Sequence, residues 1–409
     1  MQQMLALEAA QELVLSRVRL LKSEVVPLTQ ASGRVLAQDI KAKDPLPPFN
    51  RSAVDGYAVV AQATQGASPQ APVTLQVIEE VAAGYVATKK VSWGTAIRIL
   101  TGAPVPEGAD AVVRQEEVER QGELVKLKGP SRHLENIDLA GRDVATGELV
   151  LAKGTRIGTG EVGMLAALGH ARVEVFQRPR VAIVSTGDEI IDVAEPLAPG
   201  KVRNSNLYAL AASVEAAGGK PILVGAVPDD AEAIARAIMR VAPEVDLIIS
   251  SGGVSVGDYD LVHRAWELLG AEVLFWKVAI KPGTPILWGQ LGPVPLAGLS
   301  GNPAACLIGF EQLVRPVIRR LGGYNKAFWP QVTGILEDAY SKASRQRRFL
   351  RARARWQEGE WRIRLTGAQS PGILRSMLGC NALVDVPAGS GPLAAGEKVK
   401  AWLLIEGLD

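Results

Sequence analysis

Between Arg180 and Gly323 short apolar runs alternate with helical stretches, and this feature constrains the fold more than any other. Near-continuous apolar runs fall at Val181–Val184, Ile222–Val227, Leu247–Ile249, Val273–Phe275 and Pro295–Leu299. Helical spacing appears at Leu207–Ala217, Ala231–Val241, Leu261–Leu269 and Pro303–Leu321. A strand that is apolar on both sides must be covered on both faces, so the pattern predicts a parallel sheet between two layers of helices, a three-layer α/β domain. It also predicts where chemistry sits, because ligands of such sheets bind beyond the carboxyl ends of the strands.

The remainder of the chain reads differently. A helical pattern runs through Leu13, Val14, Val18 and Leu21, and Asp44-Pro45-Leu46-Pro47-Pro48 is an extended linker. From about Phe49 to Ala140 the period falls to two, as at Val73, Leu75 and Val77, which indicates a β-rich module. Gly160 to Leu168 returns to helix, with Gly169 as its cap. After Trp329-Pro330 strict alternation at 350–356, then at Trp361–Leu365 and Val399–Ile405, predicts a small C-terminal barrel or sandwich. A length of 409 residues suits about two or three domains. The fold class expected is multidomain α/β plus β.

Composition removes whole classes of function. Lys+Arg 45 against Asp+Glu 43 leaves a net charge of +2, which argues against a nucleic-acid-coating surface. No stretch reaches the ~18 apolar residues of a membrane span, and Met1-Gln2-Gln3-Met4 does not open a signal peptide, so a cytoplasmic chain is expected. The cysteines, Cys306 and Cys380, are far apart, and His133, His170 and His263 lack ligand spacing. A disulfide framework, a cysteine zinc site or a protein-held iron–sulfur cluster is therefore not expected. Any metal held by side chains would be a hard cation on Asp or Glu.

The segments just after the apolar runs define the candidate site. They are Ser185-Thr186-Gly187-Asp188-Glu189, Asp229-Asp230, the stretch from Ser250 to Asp260, Lys277 with Lys281-Pro282-Gly283, and Ser300-Gly301-Asn302-Pro303. Gly252 and Gly253 let backbone amides approach an anion with no Cβ in the way. Asn302 before Pro303 is an N-cap followed by proline at the first helical position, which turns free amides and the positive helix end toward the same cleft. Lys277 and Lys281 add positive charge. Glu189, Asp229 and Asp260 suit Mg²⁺, which needs one or two carboxylates completed by phosphate oxygens and water. Together these groups point to a phosphate or pyrophosphate ligand with a divalent metal.

Singly, each segment has an ordinary structural explanation: a glycine turn, a helix-opening Asp, a solvated lysine. Neither a Walker A loop nor a dinucleotide fingerprint is present. Two further acids, Asp55 within Pro47 to Ala58 and Asp143 within Gly141-Arg142-Asp143, are equally explained by local turn hydrogen bonds. The Arg351, Arg353, Arg355 stripe is either a solvated strand face or contains a residue that reaches an anionic ligand.

At these residues the chain resembles the molybdopterin molybdenumtransferase family, enzymes related to the E domain of gephyrin. The carriers are Pro48 to Ala58, Thr101-Gly102-Ala103-Pro104-Val105-Pro106, Ser185 to Glu189, Ser251 to Gly257, Lys277 to Gly283 and Gly301-Asn302-Pro303. The resemblance implies insertion of molybdenum from molybdate into adenylylated molybdopterin, with Mg²⁺-dependent release of AMP. The metal's sulfur ligands then belong to the pterin, which agrees with a cysteine-poor chain. It implies a homodimer, with the molybdopterin adenylyltransferase and molybdoenzymes as further partners. It implies catalytic roles for Asp260, Asp229, Glu189, Asp55, Asp143, Lys277 and Lys281, with Asp229, Asp260 and Glu189 also holding the metal. Substrate binding is implied for Thr101, Gly252, Gly253, Ser255, Gly257, Pro282, Gly283, Asn302, Pro303, Arg351 and Ser370.

The domain division expected is residues 1–46 with 141–178, an inserted β-rich module at 47–140, an α/β molybdopterin-binding domain at 179–325, and a β-barrel at 326–409. Three positions depart from the family pattern: Thr284 replaces a second lysine, Ser300 stands where proline is usual, and Ser370-Pro371 displaces a serine by one residue. The alternatives are adenylyl transfer from ATP to molybdopterin and a gephyrin-like scaffold. Asp260→Asn is expected to retain pterin binding and stall AMP release; unchanged release of AMP removes Asp260 from that role.

Overall fold

The computed structural model of the chain describes residues 4–254 and 261–405. These form two compact units, one from the described residues of 1–37, 154–157 and 173–409, the other from 38–153 and 158–172.

In the larger unit β1 (Arg180–Thr186), β2 (Lys220–Val227), β3 (Leu247–Ser251), β4 (Glu272–Trp276), β5 (Leu287–Leu291) and β6 (Val294–Leu299) form one sheet in the order β2-β1-β3-β6-β5-β4. β1 pairs in parallel with β2 and β3, and β3 with β6. β5 is antiparallel to both neighbours, so the expected parallel sheet is mixed by one strand. The sequence pattern places no strand at Leu287–Leu291, which only Gly292 and Pro293 separate from β6; Gly292, at φ 56°, supplies the tight reversal.

Strand residues alternate between two cores. Val181, Ile183, Leu247 and Ile249 pack on one face with α1 (Ser205–Ala216) and the long C-terminal helical segment. Ala182, Val184 and Ile248 pack on the other with α2 (Ala231–Val241) and α3 (Leu261–Leu268). Because neighbouring side chains point to opposite faces, the unbroken apolar runs become a sheet buried on both sides. The C-terminal segment starts as α4 (Pro303–Gly309), passes through a π turn at Phe310–Val314 and ends as α5 (Arg315–Leu321).

The N-terminal helix spans Leu7–Ser16 and stops short of the expected Leu21. The chain then leaves helical geometry, and the Leu21 amide bonds the Leu321 carbonyl at 3.0 Å; Val18 and Leu21 still pack into the first core.

The C-terminal strands β7 (Gln331–Leu336), β8 (Arg347–Gln357), β9 (Glu360–Leu365), β10 (Ala382–Val386) and β11 (Lys398–Leu403) close into a barrel through pairings β8–β9, β9–β7, β7–β11, β11–β10 and β10–β8. Ala352 and Ala354 of β8 face its core, and Arg353 and Arg355 face solvent. A two-residue strand of the α/β domain, Ile280–Lys281, adds in parallel to β8, with Ile280 opposite Arg347 and Lys281 opposite Arg348. Phe349 and Leu383 of the barrel belong to the same core as α1 and β1. Barrel and α/β domain thus share backbone hydrogen bonds and a hydrophobic core.

The smaller unit contains a six-stranded sheet in the order 111–114, 56–59, 95–99, 73–81, 124–127, 118–121, with cores on both faces. Its helix Thr159–Ala167 opens with the Glu161 carboxylate accepting from the Gly158 amide at 2.8 Å and ends at Gly169, φ 80°. Among the described residues no helix is long and apolar enough to cross a membrane.

Ile183 is fully buried at the centre of β1. Ile183→Ala is expected to remove about 2–5 kcal/mol of stability in urea unfolding followed by tryptophan fluorescence. A shift below about 1 kcal/mol contradicts its place in the core.

Candidate functional site

The parallel register brings three loops together. Ser185 of β1 lies opposite Ser251 of β3, and Ser251 opposite Leu299 of β6, so the loops beyond these strand ends leave the sheet side by side. Above them opens a cavity of about 980 Å³. Small-molecule sites run from about 300 to 1,000 Å³, so this one accommodates a large ligand. Its α/β wall carries Thr186, Glu189, Asp229, Gly252, Gly253, Lys281, Pro282, Gly283, Asn302 and Pro303; the barrel contributes Lys342, Arg348, Gln369 and Pro371.

The floor requires glycine. Gly252 and Gly253 have φ of 99° and 64°, and a Cβ on Gly252 would stand 2.5 Å from the Thr186 carbonyl oxygen. Beside this turn the Thr186 hydroxyl and the Asn206 Oδ1 are buried with no hydrogen-bond partner among the described residues. Asn206 is held in place, donating from Nδ2 to Ser251 Oγ at 2.7 Å and to the Gly301 carbonyl at 2.9 Å. An unsatisfied buried polar atom costs about 1–3 kcal/mol, which a polar ligand at this floor recovers.

The helix end differs from expectation in one respect. Asn302 occupies the N-cap of α4, yet its side chain makes no capping bond. The Ala304 amide donates to the Pro371 carbonyl at 3.0 Å, so the barrel loop takes an amide that the sequence pattern leaves facing the cleft.

Glu189 and Asp229 lie at the acidic edge. The Asp229 amide donates to Asp188 Oδ1 at 3.1 Å. Partial burial, reinforced by the charges of Asp188 and Glu189, raises the Asp229 carboxyl above the usual carboxylate range. Among the described residues no group of three or more His, Cys, Asp or Glu side chains is arranged to hold a metal. Ser255, Gly257 and Asp260 lie outside the described residues.

Residues 5–169 match the family described as MoeA N-terminal region (domain I and II), 182–320 the probable molybdopterin binding domain, and 333–404 the MoeA C-terminal region (domain IV). The chain is 37% identical to the molybdopterin molybdenumtransferase of Bacillus subtilis over 94% of its length and 90% of that protein. It is 36% identical to the Staphylococcus epidermidis protein of the same name over 92% and 90%. The chain belongs to the molybdopterin molybdenumtransferase family. A crystal structure of the molybdopterin biosynthesis MoeA protein from Pyrococcus horikoshii OT3 superimposes with a TM-score of 0.84, at 34% identity, over 98% of this chain and all of that one.

The other family positions spread between the cavity wall and its supports. Lys281 borders the cavity; Lys277 does not appear among the described residues that line it. β5 stands between β4 and β6, and Lys277, at φ 88°, holds its ammonium 5.1 Å from the Trp276 ring. Arg351 is fully buried. Its guanidinium donates to the carbonyls of Ala368, Gln369 and Ser370 at 3.0–3.3 Å and to Ser376 Oγ at 3.0 Å, shaping the loop whose Gln369 and Pro371 line the wall. Burial lowers its pKa. Ser370 is exposed on that loop and contributes its carbonyl to Arg351.

Asn206, Lys342 and Arg348 also line the cavity, without a signal in the sequence that marks them. Asn206 falls just before the expected Leu207–Ala217 helix and lies in the first turn of α1, and the cations belong to a barrel that only strand pairing brings to the α/β domain.

In the smaller unit Asp55 Oδ1 accepts from the Thr101 hydroxyl at 2.6 Å and from its amide at 2.7 Å. The hydroxyl, then the amide, hold the Asp55 carboxyl below its usual range. Asp143 is exposed, and its amide bonds the Leu46 carbonyl at 2.9 Å. A depressed carboxyl contributes stability that is present above its unfolded pKa and lost as pH falls through the folded one. Thr101→Val is expected to move the Asp55 titration, followed by carbon-detected NMR, upward toward the ordinary value. An unmoved titration shows that the hydroxyl does not set it.

Proposed function

We propose that this chain inserts molybdenum from molybdate into adenylylated molybdopterin and releases AMP. The observation that carries the reading is the 37% identity to the Bacillus subtilis molybdopterin molybdenumtransferase over 94% of the chain. Matches to the MoeA N- and C-terminal regions on either side of the molybdopterin binding domain favour it over adenylyl transfer alone. The reading carries with it a homodimer and a cytoplasmic location.

The cavity suits this chemistry, which consists largely of positioning and charge neutralisation. The Gly252-Gly253 turn and the Thr186 hydroxyl bind the phosphate end of the pterin nucleotide, and Lys281 supplies a cation for the oxyanion. Asn302, with its side chain free of the helix cap, orients polar groups of the substrate.

Glu189 and Asp229, with Asp260, are the residues that would hold Mg²⁺. The donor set fits in kind: it is all hard oxygen, and Glu189 and Asp229 line the same cavity. Two carboxylates completed by phosphate oxygens and water form an ordinary Mg²⁺ shell. When bound, the ion supplies charge neutralisation at the pyrophosphate link.

The test incubates purified full-length protein with adenylylated molybdopterin, Mg²⁺ and molybdate, then measures AMP and molybdenum-loaded cofactor. Both products are expected, in equal amounts and without ATP. ATP consumption on metal-free pterin, with no AMP from the adenylylated form, overturns the reading in favour of adenylyl transfer.

A further inference from the structure

Arg347 and Arg348 are neighbours on β8, and successive strand side chains leave on opposite faces. Arg347 is neutralised: it meets both carboxylate oxygens of Asp385, at 2.7 and 2.6 Å, and pairs with Glu8 as well. Arg348 is not. Half-buried on the cavity wall, it donates from Nε to Ser344 Oγ at 3.3 Å and from Nη1 to the Tyr340 hydroxyl at 2.5 Å. Its guanidinium stands 5.6 Å from the Tyr340 ring centroid. These partners orient the group without compensating its charge, and among the described residues no carboxylate pairs with it.

A second cation stands directly beside it. Lys281 is the register partner of Arg348 in the parallel pairing, so the two side chains leave the same face of the strand pair. Both border the cavity, and among the described residues Lys281 has no carboxylate partner either. Like charges directly opposite in a sheet are destabilising, and a partly buried guanidinium is ordinarily paired. An anion between them removes both penalties. The planar guanidinium fork suits two oxygens of a tetrahedral anion better than a lone ammonium does.

We infer that Arg348 is an anion-contact residue of this cavity, holding with Lys281 a tetrahedral oxyanion, either molybdate or the phosphate of the nucleotide substrate. The choice of anions rests on the proposed function; the cation pair does not.

The test measures equilibrium binding of molybdate, and separately of AMP, to the full-length protein and to Arg348→Gln, Arg348→Lys and Arg355→Gln. Arg355 lies on the same strand, exposed and paired with Glu337 at 2.8 Å, and controls for net charge. Arg348→Gln is expected to weaken at least one anion by about tenfold or more, as loss of a charge-assisted contact does. Arg348→Lys should recover part of the loss, and Arg355→Gln should bind as the parent does. Loss for molybdate alone identifies the metal oxyanion; loss for AMP alone identifies the phosphate. Parent-like binding of both anions by folded Arg348→Gln overturns the inference. If that variant fails to fold, parent-like binding by Arg348→Lys, which lacks the fork, overturns it instead. Anion loss in Arg348→Gln alongside a parent protein that makes no molybdenum cofactor keeps the inference and removes the proposed function.

Discussion

The cavity exists because two residues of the α/β domain, Ile280 and Lys281, complete their backbone hydrogen bonds on a strand of the barrel. That short parallel pairing is too small to hold two domains by itself. It is backed by Phe349 and Leu383, which enter the core beneath α1 and the helical segment from Pro303 to Leu321. Burial of large side chains supplies the attraction, and the strand pairing sets the register. Register then decides which side chains face the opening: Lys281 and Arg348 do, while Arg347 turns to Asp385 and Glu8.

At the floor of the cavity the determining constraint is conformational. The turn after β3 runs through left-handed backbone at Gly252 and Gly253 and passes so close to Thr186 that no side chain fits. Beside it the Thr186 hydroxyl and the Asn206 carbonyl oxygen are buried and unsatisfied among the described residues. The cavity lining therefore combines fixed hydrogen-bonding groups at Thr186, Gly252 and Gly253, the cations of Lys281 and Arg348, and the carboxylates of Glu189 and Asp229.

Arg351 shows how burial changes a residue's work. On the sequence it belongs to a stripe of three arginines; in the fold only Arg353 and Arg355 are exposed. A guanidinium out of water must spend its donors, and Arg351 spends them on three successive carbonyls and Ser376. The loop it ties then caps α4 through the Pro371 carbonyl. Sequence position alone cannot separate such a strut from an exposed cation two residues away.

Local chemistry was enough to determine the alternating architecture, the clustering of loops at the carboxyl edge of β1, β2, β3 and β6, and the glycine turn. Each depends on short-range rules: apolar runs buried on both faces, strand polarity, and φ values that only glycine adopts freely. Family membership was legible in the same loops, because their residues are matched to one ligand chemistry. Tertiary structure alone decided the rest. The antiparallel β5 was hidden by a two-residue turn, and Lys277, just beyond β4, does not line the cavity. The cations at 342 and 348 became part of the wall only when Ile280 and Lys281, far earlier in the chain, paired with β8. Side-chain direction on a strand is set by which partner it finds, and that partner lies far along the sequence.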